Sequence, residues 1–223
     1  MEHTEHPAAP SSPPRPWATG LPAGTVIAAL FLGIGTGWLM PALSPFFLLG
    51  FLYFVPTRGG LLRKLAAEWR FPGRFWWDSF LVALLATLAT AAVTAAWLKV
   101  LYAVTGTEPD PMQEIARLFL ASSPGMKLFL AWNILVAAPI LEELIFRRLL
   151  FDLCGRFLPQ WGAFLLTALL FAAAHRHLPS FPGLCLLGVI LQAFYVWTRN
   201  LATAVMIHVF FNGIALAGLL WNA

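Results

Sequence analysis

Charged side chains are scarce in this sequence. Lys, Arg, Asp and Glu make up 11% of its 223 residues, while 60% are hydrophobic. A soluble domain carries roughly 25% charged residues, so the deficit excludes a water-soluble fold. With only two cysteines, Cys154 and Cys185, no disulfide framework is available, and their spacing fits no metal-binding pattern. Both read as small buried hydrophobes. The opening "MEHTEHPAAPSSPPRP" lacks the basic stretch running straight into an apolar core that a cleaved secretory signal needs. Residues 1–20 read as a disordered, Pro-rich tail, and His3 and His6 are given no metal role. Repeats at solenoid-type periods are absent. The net charge of +4 does not imply nucleic acid as a partner. Its basic residues fall between apolar stretches, where cytoplasmic loops of membrane proteins collect Lys and Arg.

What the chain does have is apolar runs near the ~20 residues that cross a ~30 Å hydrocarbon core. The pattern predicts an all-α, polytopic transmembrane bundle over residues 21–223. About seven spans are expected, near 22–40, 43–56, 79–103, 126–151, 161–177, 181–197 and 201–221, the second short enough to be re-entrant. Residues 111–121 predict a short amphipathic helix lying at the interface. The stretch "TRGGLLRKLAAEWRFPGRFWWDS" holds Arg58, Arg63, Lys64, Arg70 and Arg74, with Trp69, Trp76 and Trp77 as interfacial anchors. Placing it in the cytoplasm also puts Arg147, Arg148, Arg156 and Arg199 on that side, and the acidic 107–114 stretch outside. A compact chain without an extra soluble domain points to a bacterial plasma membrane.

Against that background "PILEELIFRRLL", residues 139–150, stands out. A charged side chain at the bilayer centre costs roughly 2.5–3.5 kcal/mol on insertion scales, so such residues normally face the bundle interior and mark function. Glu143 and Arg147 are four apart, acid first, the favourable order for a helical ion pair. Glu142 is rotated about 100° from that face and needs another partner. "FAAAHRH" sets Phe171 and His175 four apart, and "HVFFN" does the same for His208 and Asn212.

Glu142 and His175 lie a similar number of residues on either side of the Gly155–Pro159 turn. An antiparallel hairpin, rising ~1.5 Å per residue, therefore brings them to nearly the same height. His208 lies eight residues past Asn200, roughly 12 Å in. For all three to meet, the 178–180 turn must be buried or recessed. A carboxylate and an imidazole sharing a water form a general base for hydrolysis, and a second His with an Asn amide supplies donors for a developing oxyanion. Alternatively Glu142, His175 and His208 are three ligands of one zinc ion whose fourth position holds the water. His177 reads as interfacial beside Arg176, and Arg148 as a snorkelling cation. Asn133, Gln192 and Lys99 read as packing or interfacial residues. H-E-x-x-H, G-x-G-D and G-x-S-x-G patterns are missing, so the corresponding zinc, aspartyl and serine protease types fit worse.

The three segments "EELIFR", "FAAAH" and "HVFFN", in that order on successive late helices, resemble the EExxxR, FxxxH and HxxxN motifs of the CPBP family, the CAAX proteases and bacteriocin-processing enzymes. The resemblance covers about residues 111–217. It implies an intramembrane endopeptidase in which Glu142 and His175 activate water and His208 and Asn212 stabilise the oxyanion. Glu143 and Arg147 would orient the site. It leaves open a metal-free glutamate mechanism or one zinc ion held by Glu142, His175 and His208. Implied substrates are membrane-associated proteins or peptides: a prenylated C-terminal tail, a bacteriocin precursor or a C-terminal sorting signal. The competing expectations are a non-catalytic immunity or scaffold protein of the same fold, and a proton-coupled transporter.

Overall fold

The computed structural model describes residues 21–39, 43–54 and 66–222. The N-terminal tail and the basic residues Arg58, Arg63 and Lys64 lie outside them. Eight helices position the candidate site: α1 (Ala23–Leu39), α2 (Ser44–Phe54), α3 (Phe75–Thr105), α4 (Glu114–Ala121), α5 (Pro124–Cys154), α6 (Gln160–Ala174), α7 (Phe181–Thr198) and α8 (Leu201–Trp221). No strand occurs among the described residues. The chain is an all-α integral membrane protein.

Seven full spans are not what the described helices supply. Four of them, α3, α5, the Leu178–Thr198 segment containing α7, and α8, are long and apolar enough to cross a membrane. The reason is length. At 15 residues, α6 rises only about 22 Å, short of a ~30 Å core. Apolar composition made this segment resemble a span. The predicted interfacial helix is present as α4, eight residues long, with Ile115 and Leu118 exposed and Phe119 buried.

Helix α5 is not a regular α-helix. Two π-helical turns interrupt it, Asn133–Ala137 and Leu144–Leu150. The first precedes Pro139, which has no amide hydrogen and clashes with a preceding carbonyl in a regular helix. A wider turn just upstream accommodates it, and the Ala138 amide bonds back to Asn133 O. The next amide in that five-residue pattern would serve Ile134 O, but it belongs to Pro139. Asn212 Nδ2 on α8 donates to Ile134 O instead, at 2.9 Å.

The short helix α6 matters most for the site. It ends at His175, because Arg176 turns into the left-handed region at φ 52°. His175 is thereby delivered partway along the bundle without a buried connection. The following turn, expected to be buried or recessed, leaves Leu178 60% exposed within the protein, and Trp97 Nε1 of α3 donates to Leu178 O at 3.0 Å.

Glycines let α7 approach its neighbours. A Cβ on Gly188 would lie 3.0 Å from Ala168 O and 3.1 Å from its Cα, and one on Gly183 would strike Thr94 Oγ1. Such small-residue contacts are how helices pack closely in lipid. Gly188→Val should therefore lower the thermal midpoint of the detergent-solubilised protein through overpacking of about 1–3 kcal/mol. Gly218→Val, where an added Cβ meets nothing within 4 Å, should leave it close to wild type.

Candidate active site

Three helices converge on one point. Glu142 comes from the middle of α5, His175 from the C-terminal end of α6 and His208 from the second turn of α8. Glu142 Oε2 lies 3.9 Å from His175 Nε2 and 3.9 Å from His208 Nε2. That same Oε2 is buried and has no hydrogen-bond partner within the protein. A buried carboxylate oxygen without a donor costs several kcal/mol, which makes this oxygen, turned toward the two imidazoles, the centre of the candidate site.

The tautomers follow from the other ring nitrogens. His175 Nδ1 lies 2.8 Å from Phe171 O, the carbonyl one turn earlier. A carbonyl only accepts, so Nδ1 carries a proton and Nε2 is the nitrogen that faces Glu142. His208 Nδ1 lies 2.9 Å from Glu143 Oε1, and the other Glu143 oxygen lies 2.9 Å from Arg147 Nε. With its carboxylate paired to a guanidinium, Glu143 accepts, which places a proton on His208 Nδ1 as well.

Glu143 and Arg147 are 0% and 1% exposed, a fully buried ion pair whose acid carries the His208 hydrogen bond. Phe171 is the apolar hub. Its ring lies 4.5 Å beneath Arg147 Cζ, and its edge contacts reach His175 at 4.9 Å, His208 at 5.8 Å and Phe146 at 5.4 Å between centroids. A cation over a desolvated ring face adds roughly 2 kcal/mol.

Asn212 sits one turn beyond His208, and its Nδ2 is oriented by the Ile134 carbonyl. One amide hydrogen serves that contact and the second is left for another acceptor. The sequence spacing singles out Asn212 as a candidate, but not the proline-disrupted turn whose carbonyl it meets. The joint signal was an interior proline in the motif helix and an amide on a facing helix.

Zinc fits this donor set poorly. With metal–ligand distances near 2.1 Å, a 3.9 Å separation between carboxylate oxygen and imidazole nitrogen opens the ligand–metal–ligand angle to about 140°, far from tetrahedral. Among the described residues no group of three or more His, Cys, Asp or Glu side chains is placed to hold a metal ion. A separation of 3.9 Å is one that a single solvent oxygen at ordinary hydrogen-bond lengths, about 2.8 Å, can span.

Elsewhere the structure corrects one expectation and extends two others. Arg148 does not snorkel. It is 2% exposed, with Nε 3.2 Å from Glu68 Oε1. His177 stays outside the convergence, with Nδ1 3.0 Å from Ser180 Oγ. Burial lowers its pKa below the ordinary histidine value, an effect that nearby Arg117 and His175 reinforce and a backbone contact at Met112 opposes. Gln192 is buried against Thr167 Oγ1 at 3.4 Å, a packing contact. Both cysteines are free.

With this geometry in place, the comparisons with known proteins become informative. Residues 124–214 match the model of the family described as type II CAAX prenyl endopeptidase Rce1-like. The family likeness rests on that segment. It contains Glu142, Glu143, Arg147, His175, His208 and Asn212. The chain is also similar to the membrane-embedded CAAX protease MroQ of Staphylococcus aureus (strain USA300), 32% identical over 93 residues that make up 39% of this chain and 38% of the relative. No solved structure matches.

Proposed function

We propose that this protein is an intramembrane endopeptidase that hydrolyses a peptide bond in a membrane-associated protein or peptide. The observation that carries the reading is the partnerless, buried Glu142 Oε2 equidistant from two imidazole Nε2 atoms. In the proposed step, water held between Glu142 and His175 attacks the scissile carbonyl carbon and yields a proton to this pair. The carbonyl π electrons move to oxygen, giving a tetrahedral oxyanion. As the C–N bond breaks, the proton passes to the departing nitrogen, leaving a carboxylic acid and an amine. Helix α6 ends at His175, so the imidazolium formed there gains from the negative end of the helix dipole.

His208 and the second hydrogen of the Asn212 amide serve the oxyanion. The Glu143 hydrogen bond adds a condition. Because Nδ1–H is committed to Glu143, His208 donates from Nε2 only as an imidazolium, and the Glu143 carboxylate balances that charge. Glu143 and Arg147 are thus positioning residues. The geometry favours water over a metal between these side chains, so no step is routed through zinc.

The family likeness and the membrane setting support, as substrate, a C-terminal tail, a bacteriocin precursor or a sorting signal. The test is a comparison of membrane-protein termini in cells carrying the wild-type chain and cells carrying Glu142→Gln. New termini that depend on Glu142 are the expected result. Identical terminus profiles across the membrane proteome would overturn the hydrolase reading.

A further inference from the structure

Outside the motifs, a second buried ion pair ties α5 to a segment nearly eighty residues upstream. Arg148 Nε lies 3.2 Å from Glu68 Oε1, and Glu68 Oε2 accepts from the hydroxyl of buried Tyr195 at 3.3 Å. The Glu68 carbonyl accepts from the Ala202 amide at 3.2 Å. Asn200 brackets Arg70, with Oδ1 accepting its amide at 3.2 Å and Nδ2 donating to its carbonyl at 2.7 Å. The Arg70 guanidinium donates to the carbonyls of Thr198 and Arg199 at 3.3 Å each. Residues 68–70 are thereby fastened at once to α5, to the end of α7 and to the first turn of α8.

Those attachments fall on the two helices that must meet at the site, α5 carrying Glu142 and Glu143, and α8 carrying His208. Within the π-turn Leu144–Leu150, adjacent arginines are held in different directions, Arg147 by Glu143 on its own helix and Arg148 by Glu68 from outside it. A π-turn gives up the regular hydrogen-bond register, so its rotation about the helix axis needs an external reference. A buried guanidinium is a costly way to supply mere cohesion, since apolar packing does as well or better. We propose that Glu68, though outside residues 124–214, is a positioning residue of the site. Its pair with Arg148 fixes the rotation of the 144–150 turn, and with it the Glu143–His208 hydrogen bond and the aim of Glu142.

This inference rests on the hydrolase reading for its consequence in turnover, but its structural half is readable without a substrate. The full chain is prepared with 15N-histidine in detergent, and the His208 signals are assigned as those lost in His208→Gln. In Glu68→Gln the His208 ring resonances should move, and in the charge exchange Glu68→Arg/Arg148→Glu they should return toward wild type. Gly183→Ala, destabilised at a helix contact away from the pair, should lower the thermal midpoint without moving them. On whichever protein the terminus comparison identifies, Glu68→Gln should reduce kcat between about twofold and thirtyfold, with KM unchanged. Should Glu68→Gln fail to fold, Arg148→Lys, which keeps the cation but loses the Nε contact, is read by the same resonances. His208 signals that stay put in the folded variant, or that move equally in Gly183→Ala, would overturn the proposal. If no terminus depends on the wild-type chain, the hydrolase reading falls while the resonance test of Glu68 still stands.

Discussion

Glu142→Gln should abolish cleavage while leaving the helix bundle folded. The substitution keeps the shape of the side chain and removes the one basic oxygen that faces both imidazoles. General-base catalysis contributes roughly 10²–10⁴-fold, so the residual rate should fall by at least about a hundredfold. His175→Ala should cause a loss of similar size, because the two groups act as a unit on one water and their effects are not additive. Both side chains are about one-quarter exposed, so the thermal midpoint in detergent should shift little. Cleavage of an identified substrate, measured beside the thermal midpoint, separates loss of chemistry from loss of fold. Turnover retained by either variant would remove the proposed base.

The second large effect is expected at Glu143, with the opposite signature. Glu143→Ala leaves the Arg147 guanidinium, 1% exposed, without its carboxylate. Breaking a buried pair by removing one partner costs about 3–5 kcal/mol, a large fraction of a domain's stability. It also removes the acceptor that holds His208 Nδ1. Stability and activity should therefore fall together, seen as a lower thermal midpoint and reduced yield from the membrane. Replacing both partners by apolar residues, Glu143→Leu/Arg147→Met, should recover much of the stability because no uncompensated charge remains. It should not recover cleavage, since His208 still lacks its partner. A doubly apolar variant that cleaved normally would show that the pair has no part in setting His208.

The sites of these two predictions were legible in the sequence for one physical reason. Hydrocarbon penalises charge, so Glu142, Glu143, Arg147, His175 and His208 stand out in a chain this apolar, and helical spacing separates the Glu143–Arg147 face from Glu142. The span count was less legible. Hydropathy reports composition, and α6 is apolar enough to look like a span while being too short to cross. The shortness of α6 is also what brings His175 to the level of Glu142, where the sequence reading asks for a buried or recessed turn at 178–180. Helical spacing likewise assumes a uniform helix. The two π-turns of α5 escaped it, although Pro139 was visible in the motif helix. Arg148 was misjudged because its partner Glu68 lies in a distant segment that reads as part of an interfacial loop, and no local pattern links the two.

The central claim is that Glu142 and His175, with His208 opposite, hold a single reactive water. The most direct measurement is experimental density for the site at a resolution that shows ordered solvent, in protein reconstituted in lipid. The account predicts one solvent oxygen at about 2.6–3.2 Å from both Glu142 Oε2 and His175 Nε2, with His208 Nε2 across from it. Side chains turned away from one another beyond the reach of a shared solvent molecule would contradict it, as would a metal ion bound to all three at about 2.1 Å.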